Sequence, residues 1–157
     1  MKLIETILSS ENVIKAQSRV LSNQGGAGID GMHVDELVEY MRANWDDIKE
    51  SILVRKYNPA PVRRVEIPKA NGGVRKLGIP TVLDRTIQQA IVQVLSPIFE
   101  NEFQENSYGF RPCRSCEQAI LKLLEYLNEG YEWIVDIDLE KFFDNVPQDK
   151  LMYLVHG

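Results

Sequence analysis

The chain has 157 residues, 44% of them hydrophobic, which suits one domain with a buried core. Its formal net charge of −5 argues weakly against nucleic acid as a partner. The charge is segregated, however, because residues 55–76 hold seven basic side chains and one acid while the other residues carry a net −11. A local basic surface on an acidic protein is typical of phosphate binding.

Several classes of protein are disfavoured by the sequence. The N-terminus has no apolar run long enough for a signal peptide or a membrane span, so we expect a cytoplasmic protein without a membrane partner. Cys113 and Cys116 do not form a disulfide framework. They spell C-x-x-C, but a structural zinc site needs four ligands, and His33 and His156 lie far away in sequence.

The N-terminal third is predicted to be helical. Apolar spacing over residues 3–23 predicts two short helices that break near Ser9 and Ser10, with Ser10 as the N-cap. A glycine-rich loop follows at residues 25–31, and it is either a helix cap and turn or a loop that lies on a phosphodiester backbone. Asp35 is the expected N-cap of a helix to about Asn44, and a further helical piece runs through Leu53.

A basic β-hairpin is predicted next. Residues 62–69 alternate apolar and polar side chains, and residues 74–80 form a second strand-like run after an Asn-Gly-Gly turn. The polar positions are mostly Arg and Lys, which bind phosphate oxygens. Basic residues also protect edge strands from aggregation, but seven bases against one acid exceed that need.

Two further helices are predicted from their caps. Thr81 and Asp84 resemble a capping box before a helix from Leu83 to about Leu95, and Pro97 is expected to start another turn. The loop at residues 107–112 places two aromatic rings and Arg111 around a glycine, where they either stack on a base or simply pack. Ser115 is expected to cap a helix through about Asn128.

An acidic segment closes the chain. Trp133 to Val135 reads as a short buried strand, and a final helix is expected over 147–155. The acids that follow the strand are either solvated side chains or ligands for a hard cation such as Mg²⁺. They are Asp136, Asp138, Glu140 and Asp144.

In order along the chain, these motifs resemble the N-terminal part of bacterial group II intron reverse transcriptases, the intron-encoded maturases. The matching segments are Gly26-Ala-Gly-Ile-Asp-Gly31, Arg64-Val-Glu-Ile-Pro-Lys69, Asn71-Gly-Gly-Val-Arg-Lys-Leu-Gly-Ile-Pro80, Asp84-Arg-Thr-Ile-Gln-Gln-Ala90, Ser107-Tyr-Gly-Phe-Arg-Pro112 and Asp136-Ile-Asp-Leu-Glu-Lys-Phe-Phe-Asp144. The departures are small: the family usually has Gly at Cys113 and Asn-His near Pro147.

The resemblance implies an α+β fold, a fingers subdomain of helices around a small antiparallel hairpin with a truncated palm. It divides the chain into an N-terminal extension with helical fingers (1–61), the rest of the fingers (62–130) and the beginning of the palm (131–157). The unpaired palm strand would expose an edge, and self-association into a homodimer is an expected consequence.

The resemblance also implies residue roles. Asp138 is the catalytic metal ligand, helped by the Leu139 carbonyl, for the Mg²⁺ ions that number two in the complete enzyme. The side chains expected to bind the incoming dNTP are Lys69, Arg75 and Phe143, the last as a steric gate against ribonucleotides. The residues expected to contact nucleic acid are Gly25, Gly26, Ala27, Gly28, Ile29, Arg63, Arg64 and Arg111.

The function implied is that of an RNA-directed DNA polymerase, with an RNA template or intron RNA and a DNA primer as partners. The family's Tyr-Ala-Asp-Asp motif does not occur in these 157 residues, so we expect the chain alone to be inactive. The alternative is a non-catalytic module that binds intron RNA in splicing. A third hypothesis, a scaffold that keeps only the fold, is disfavoured by the intact Lys69, Arg75, Asp138 and Phe143.

Overall fold

A computed structural model describes residues 2–70, 72–139 and 142–156, with backbone alone at 143, 144, 155 and 156. The chain forms two compact units, Met1–Gln104 and Glu105–Gly157, and each is described by itself. The predicted subdomain boundaries at 61/62 and 130/131 stay predictions.

The described residues of the first unit form four α-helices and one hairpin. Their bounds are α1 Leu3–Ile7, α2 Ser10–Ser22, α3 Leu37–Leu53, β1 Arg63–Pro68, β2 Val74–Ile79 and α4 Val82–Phe99, with 3₁₀ turns at Val34–Glu36 and Glu100–Glu102. The expected break after α1 is confirmed, but the N-cap of α2 is Ser9, not Ser10. The Ser9 hydroxyl accepts a hydrogen bond from the Asn12 backbone N–H at 3.4 Å.

The core of this unit lies where α2 meets α4. Two clusters of buried apolar side chains fill it: Val13, Val20, Leu37, Met41 and Val82 in one, and Ile7, Leu8, Ala16 and Ala90 in the other. Asn12 joins the same helices, since its Nδ2 donates to the Ala90 carbonyl at 3.0 Å and its Oδ1 accepts from Gln93 Nε2 at 2.8 Å.

The predicted interruption near Asn44 is wrong. The helix α3 is continuous over 17 residues because it contains neither glycine nor proline and because Trp45, at the expected break, packs against both core clusters. Asp35 lies inside the preceding 3₁₀ turn and does not cap α3.

The predicted hairpin is confirmed. β1 and β2 pair antiparallel, with Arg63 opposite Ile79 and Pro68 opposite Val74. The Thr81 cap is also confirmed, since its hydroxyl accepts from the Asp84 N–H at 3.1 Å. Pro97 does not start a new turn; it lies within the last turn of α4, where the loss of one N–H donor does not prevent two more helical residues.

The second unit contains α5 Cys116–Asn128, α6 Phe142–Asn145 and α7 Gln148–His156. The predicted cap of α5 is confirmed, because the Ser115 hydroxyl accepts from the Gln118 N–H and the Gln118 side chain accepts from the Ser115 N–H. The final helix α7 is confirmed within one residue, and α6 was not predicted. None of the described helices is both long and apolar enough to cross a membrane.

The predicted buried strand at Trp133–Val135 is wrong. These residues have no regular structure and are exposed, at 93% for Trp133 and 82% for Val135. A strand is stabilised by hydrogen bonds to a neighbouring strand. The only sheet among the described residues is the β1–β2 hairpin, so this segment has no partner there.

Candidate functional site

The register of the hairpin separates its basic side chains into two faces. Residues opposite each other in an antiparallel pair share a face, and alternate residues of a strand share a face. Arg63 therefore shares a face with Arg75, whose partner is Ile67. Lys69 continues this face, because it follows Ile67 by two residues and its N–H donates to the Gly73 carbonyl at 2.7 Å. We call this surface the Arg63 face.

The opposite face carries a different charge pattern. It holds Arg64 and Lys76, with Glu66 directly across from Lys76. Both faces are largely exposed to solvent. The two neighbouring arginines predicted to contact nucleic acid, Arg63 and Arg64, therefore point to opposite sides, and a flat surface cannot meet both.

The glycine-rich loop packs beside the Arg63 face. A Cβ on Gly26 would lie 3.5 Å from Arg63 Nη2. Arg85, in the first turn of α4, holds the loop, since its Nη2 donates to the Gly26 carbonyl at 2.8 Å. A Cβ on Gly25 would overlap Arg85 Nη1. The structure thus brings the loop and Arg63 together, as the predicted grouping required.

The glycine at 28 is needed for contact with the protein's own backbone. A Cβ there would lie 2.6 Å from Thr81 Cα and 2.9 Å from Thr81 N. Neither atom belongs to a side chain that could rotate away. The sequence-based alternatives were a helix cap and a phosphate-binding loop. The structure adds a third reason for glycine, which is close packing against the start of α4.

Replacing Gly28 with alanine is expected to lower the free energy of unfolding by about 1–3 kcal/mol, because the backbone of two segments must separate. Urea denaturation followed by far-UV circular dichroism measures this. Gly26→Ala is the matched control in the same loop and should change stability by less than about 0.5 kcal/mol, since its Cβ meets only ordinary contacts. Equal stabilities of the two variants would contradict this explanation.

A buried carboxylate, Asp84, lies in the first turn of α4. Asp84 is 3% exposed and accepts hydrogen bonds from the Tyr57 hydroxyl at 2.6 Å, the Ala60 N–H at 3.1 Å and the Thr81 hydroxyl at 2.6 Å. Burial, and then the hydrogen bond to Asp84, raise the pKa of Tyr57 above its usual value. The phenol therefore stays protonated as the donor to this carboxylate.

The raised pKa of Tyr57 predicts alkaline destabilisation. The unfolded chain releases the phenol proton near pH 10, whereas the folded protein retains it. The contribution of Tyr57 to the free energy of unfolding is therefore constant below about pH 10, and the free energy of unfolding decreases as the pH rises beyond that value. Urea denaturation from neutral to alkaline pH should show a shallower decrease for Tyr57→Phe than for the wild type.

Tyr153→Phe is the control for removal of a phenol hydroxyl, because Tyr153 is 76% exposed. If Tyr57→Phe and the wild type lose stability at the same rate above pH 10, Tyr57 does not keep its proton on folding.

The loop at residues 107–112 is confirmed as irregular. Arg111 Nη1 donates to the Ser107 carbonyl at 2.9 Å, and the Arg114 guanidinium lies over the Tyr108 ring at 5.7 Å. Phe110 is fully exposed and has a positive φ of 57°. Of the two predicted stacking rings, one is thus paired with an arginine and the other faces solvent.

Both cysteines near this loop are free and exposed. Cys113 has a φ of 59°, a conformation that glycine adopts without strain. This agrees with the glycine that the resembled family usually has there.

The predicted metal ligands lie in the second unit. Asp138 and Leu139 belong to the irregular segment 131–139 and are exposed. Phe143 lies in α6, but its side chain is outside the described residues, as is Glu140. The described part of the chain holds no group of three or more His, Cys, Asp or Glu side chains that could bind a metal. Asp138 is accessible to a cation, but the described residues do not assemble a complete ligand set around it.

Comparison with known families decides the identity. The family described as "Reverse transcriptase (RNA-dependent DNA polymerase)" matches residues 67–156, more than half of the chain. The chain belongs to the reverse transcriptase family. The match begins in β1 and ends in α7, so it includes Lys69, Arg75 and Asp138.

The relatives that the chain matches include proteins encoded by group II introns. Protein YkfC of Escherichia coli (strain K12) is 36% identical over 160 residues, covering 98% of this chain and 42% of that protein. The group II intron-encoded protein LtrA of Lactococcus lactis subsp. cremoris is 35% identical over 156 residues, covering 99% of this chain and 26% of LtrA. The predicted resemblance to a group II intron reverse transcriptase or maturase is confirmed.

The fold is similar to that of a solved reverse transcriptase assembly. A chain of a "Partial Cas6-RT-Cas1--Cas2 complex" superposes with a TM-score of 0.55 and 20% sequence identity, covering 97% of this chain and 24% of that one. This supports the mixed fold of helices with a small antiparallel sheet. The chain spans less than half the length of YkfC and of LtrA, the two relatives named above.

The sequence does not indicate the contacts of Asp84 and Arg85, which lie beside the candidate site. Sequence reasoning predicts Asp84 only as part of a helix cap and predicts no role for Arg85. Their partners Tyr57 and Gly26 lie 27 and 59 residues away in sequence, so no local pattern indicated the contacts.

Proposed function

We propose that this chain forms the fingers and the beginning of the palm of an RNA-directed DNA polymerase encoded by a group II intron. The observation that carries the proposal is the Arg63 face, which lies beside the glycine loop in a member of the reverse transcriptase family. Guanidinium and ammonium groups on one exposed face of the hairpin, beside a glycine-rich loop, suit a phosphodiester or triphosphate. In a bacterial host, such a protein would act in the cytoplasm, where intron transcripts are made.

The two ends of the Arg63 face would have different roles. Arg63, at the foot of β1, and the loop Gly25–Ile29 would contact the template backbone. Lys69 and Arg75, near the hairpin tip, would bind the triphosphate of the incoming dNTP and offset its negative charge. Arg64 on the other face and Arg111 in the second unit would contact nucleic acid elsewhere.

Asp138 and the Leu139 carbonyl are the residues that would hold a divalent metal, for which Mg²⁺ fits oxygen ligands best. In the complete enzyme, such ions stabilise the attacking and leaving oxygens of nucleotidyl transfer. Phe143 would exclude the 2′-hydroxyl of a ribonucleotide.

Primer extension tests the proposed function. The complete protein should extend a DNA primer on an RNA template with dNTPs, whereas the 157-residue chain alone should not, because these residues do not include the Tyr-Ala-Asp-Asp motif. Extension by the isolated chain would overturn the expectation of inactivity. A complete protein that binds the template and primer but never extends would overturn the polymerase assignment.

The second candidate is a non-catalytic module that binds intron RNA in splicing. Relatives named as intron maturases favour it, such as nuclear intron maturase 1 of Arabidopsis thaliana, 30% identical over 73 residues, 46% of this chain and 10% of that protein. Salt-dependent binding of a structured RNA, together with splicing but no extension by the complete protein, would select this function. Absence of binding at low salt would exclude it.

The exposed segment 131–139 predicts self-association of the isolated chain. Apolar side chains at Ile134, Val135 and Ile137 are at least 67% exposed, and a strand that forms in this segment could pair with a second copy. Light scattering should show a dimer at micromolar concentration. Val135→Lys, which places a charge on that edge, should shift the chain to a monomer, while Lys150→Glu in α7 should not. A wild-type monomer would contradict the homodimer.

A further inference from the structure

The hairpin has few close contacts with the helical body. The strands β1 and β2 pack mainly against each other, and neither packs closely with a helix. The segment that leads into β1, residues 56–62, has no regular structure. The orientation of the hairpin must therefore be set at its two feet, where the chain enters β1 and leaves β2.

One carboxylate oxygen bonds both feet. Asp84 Oδ2 accepts from the N–H of Ala60, three residues before β1, and from the hydroxyl of Thr81, two residues after β2. Its other oxygen accepts from the Tyr57 hydroxyl. Asp84 itself is fixed on α4, whose side chains fill both core clusters.

We propose that Asp84 is a positioning residue that fixes the hairpin relative to the helical body and thereby places Lys69 and Arg75 for substrate binding. The functional half of this proposal depends on the proposed binding of a dNTP triphosphate. The structural half does not, since it concerns only the hairpin and the helices. Arg85, the next residue, holds the glycine loop at Gly26, so a single helical turn fixes both parts of the surface.

The chemistry of the side chain predicts which variants preserve the anchor. The amide oxygen of Asp84→Asn can still accept from Ala60 and Thr81, while its NH₂ donates to the Tyr57 oxygen. Asp84→Ala removes every acceptor. Ala60→Pro removes the donor at the foot of β1 and also fixes φ at residue 60, but it does not alter the side chain of Asp84 or the sequence of α4. Tyr57→Phe leaves both feet bonded.

The test is a spin-label distance between the hairpin and the body. Cysteines replace Lys76 on β2 and Glu50 on α3, both exposed, in a chain with Cys113→Ser and Cys116→Ser. We expect a narrow distance distribution for the wild type, Asp84→Asn and Tyr57→Phe. Asp84→Ala and Ala60→Pro should broaden it by about twofold or more, with helix content by circular dichroism unchanged.

Two outcomes decide the structural claim. Should Asp84→Ala lose its helices, Ala60→Pro still reports on the anchor, because it does not alter α4. An unchanged distance distribution in Ala60→Pro, or Asp84→Asn as broad as Asp84→Ala, would overturn the proposal.

Kinetics of the complete protein test the functional claim. Ala60→Pro should raise the KM for dNTP by about tenfold to 100-fold. Asp84→Asn, as a separate variant, should have the KM of the wild type. A broadened hairpin with an unchanged KM would show that Asp84 positions the hairpin without serving dNTP binding, which overturns the functional half. A complete wild-type protein that does not extend primers would instead refute the proposed function and leave the distance result standing.

Discussion

Replacing Asp138 with alanine in the complete protein is expected to abolish primer extension. A carboxylate bound to a catalytic divalent metal supports several kcal/mol of transition-state stabilisation, and each 1.4 kcal/mol is about tenfold in rate. Loss of the ligand should therefore lower kcat by at least about 10³-fold. Binding of the RNA template and DNA primer should change little, because most of the residues proposed to contact nucleic acid, Arg63 among them, lie in the first unit.

Asp136→Ala is the matched control for this experiment. Asp136 lies two residues away in the same exposed, irregular segment, and its replacement by alanine removes the same charge. It should retain extension within about tenfold of the wild type. Equal losses of extension activity for the two variants would show that the negative charge of the whole segment, and not a single metal ligand, supports the reaction. Activity of Asp138→Ala above a tenth of wild type would refute its assignment as the metal ligand.

Local signals explain why much of the fold could be predicted. The hairpin was specified by strand alternation around an Asn-Gly-Gly turn, and the caps at Thr81 and Ser115 by side chains that bond N–H groups three residues on. These interactions connect residues close in sequence. Their patterns are therefore visible without a structure.

The failures come from interactions that sequence patterns do not carry. Trp133 to Val135 has the composition of a buried strand, but a strand also requires a partner, and none is present among the described residues. The break expected near Asn44 is overridden by packing of Trp45 into both core clusters. Composition indicates which residues prefer burial, whereas tertiary contacts decide whether they obtain it.

The candidate site also combines features that local sequence patterns predict with features that depend on tertiary contacts. Charge segregation predicted a basic surface, and the register of β1 and β2 then resolved it into two faces. The helical turn at Asp84 and Arg85 could not be predicted as an anchor, because its bonds reach Tyr57, Ala60 and Gly26 across at least 24 residues of sequence. In the proposed function, basic residues supply the binding chemistry, and buried polar contacts set where that chemistry lies.

Reversing the charge of Arg63 is expected to weaken nucleic-acid binding much more than reversing its neighbour Arg64. Arg63 shares a face with Lys69 and Arg75 and lies beside the glycine loop, whereas Arg64 shares the opposite face with Glu66 and Lys76. A hydrogen bond to a charged group contributes about 1.5–3 kcal/mol. Arg63→Glu should therefore raise the Kd for an RNA template annealed to a DNA primer by about 10-fold to 100-fold.

The comparison of these two variants separates surface geometry from net charge. Both change the formal charge by the same amount, so a uniform electrostatic effect would weaken binding equally at low salt. If the Arg63 face binds a phosphate directly, Arg63→Glu should also reduce the slope of log K against log salt by about 1, and Arg64→Glu should reduce it by less. Titrations at several salt concentrations measure both quantities. Equal affinities and slopes for the two variants would show that the hairpin acts as a diffuse positive charge and not through one face.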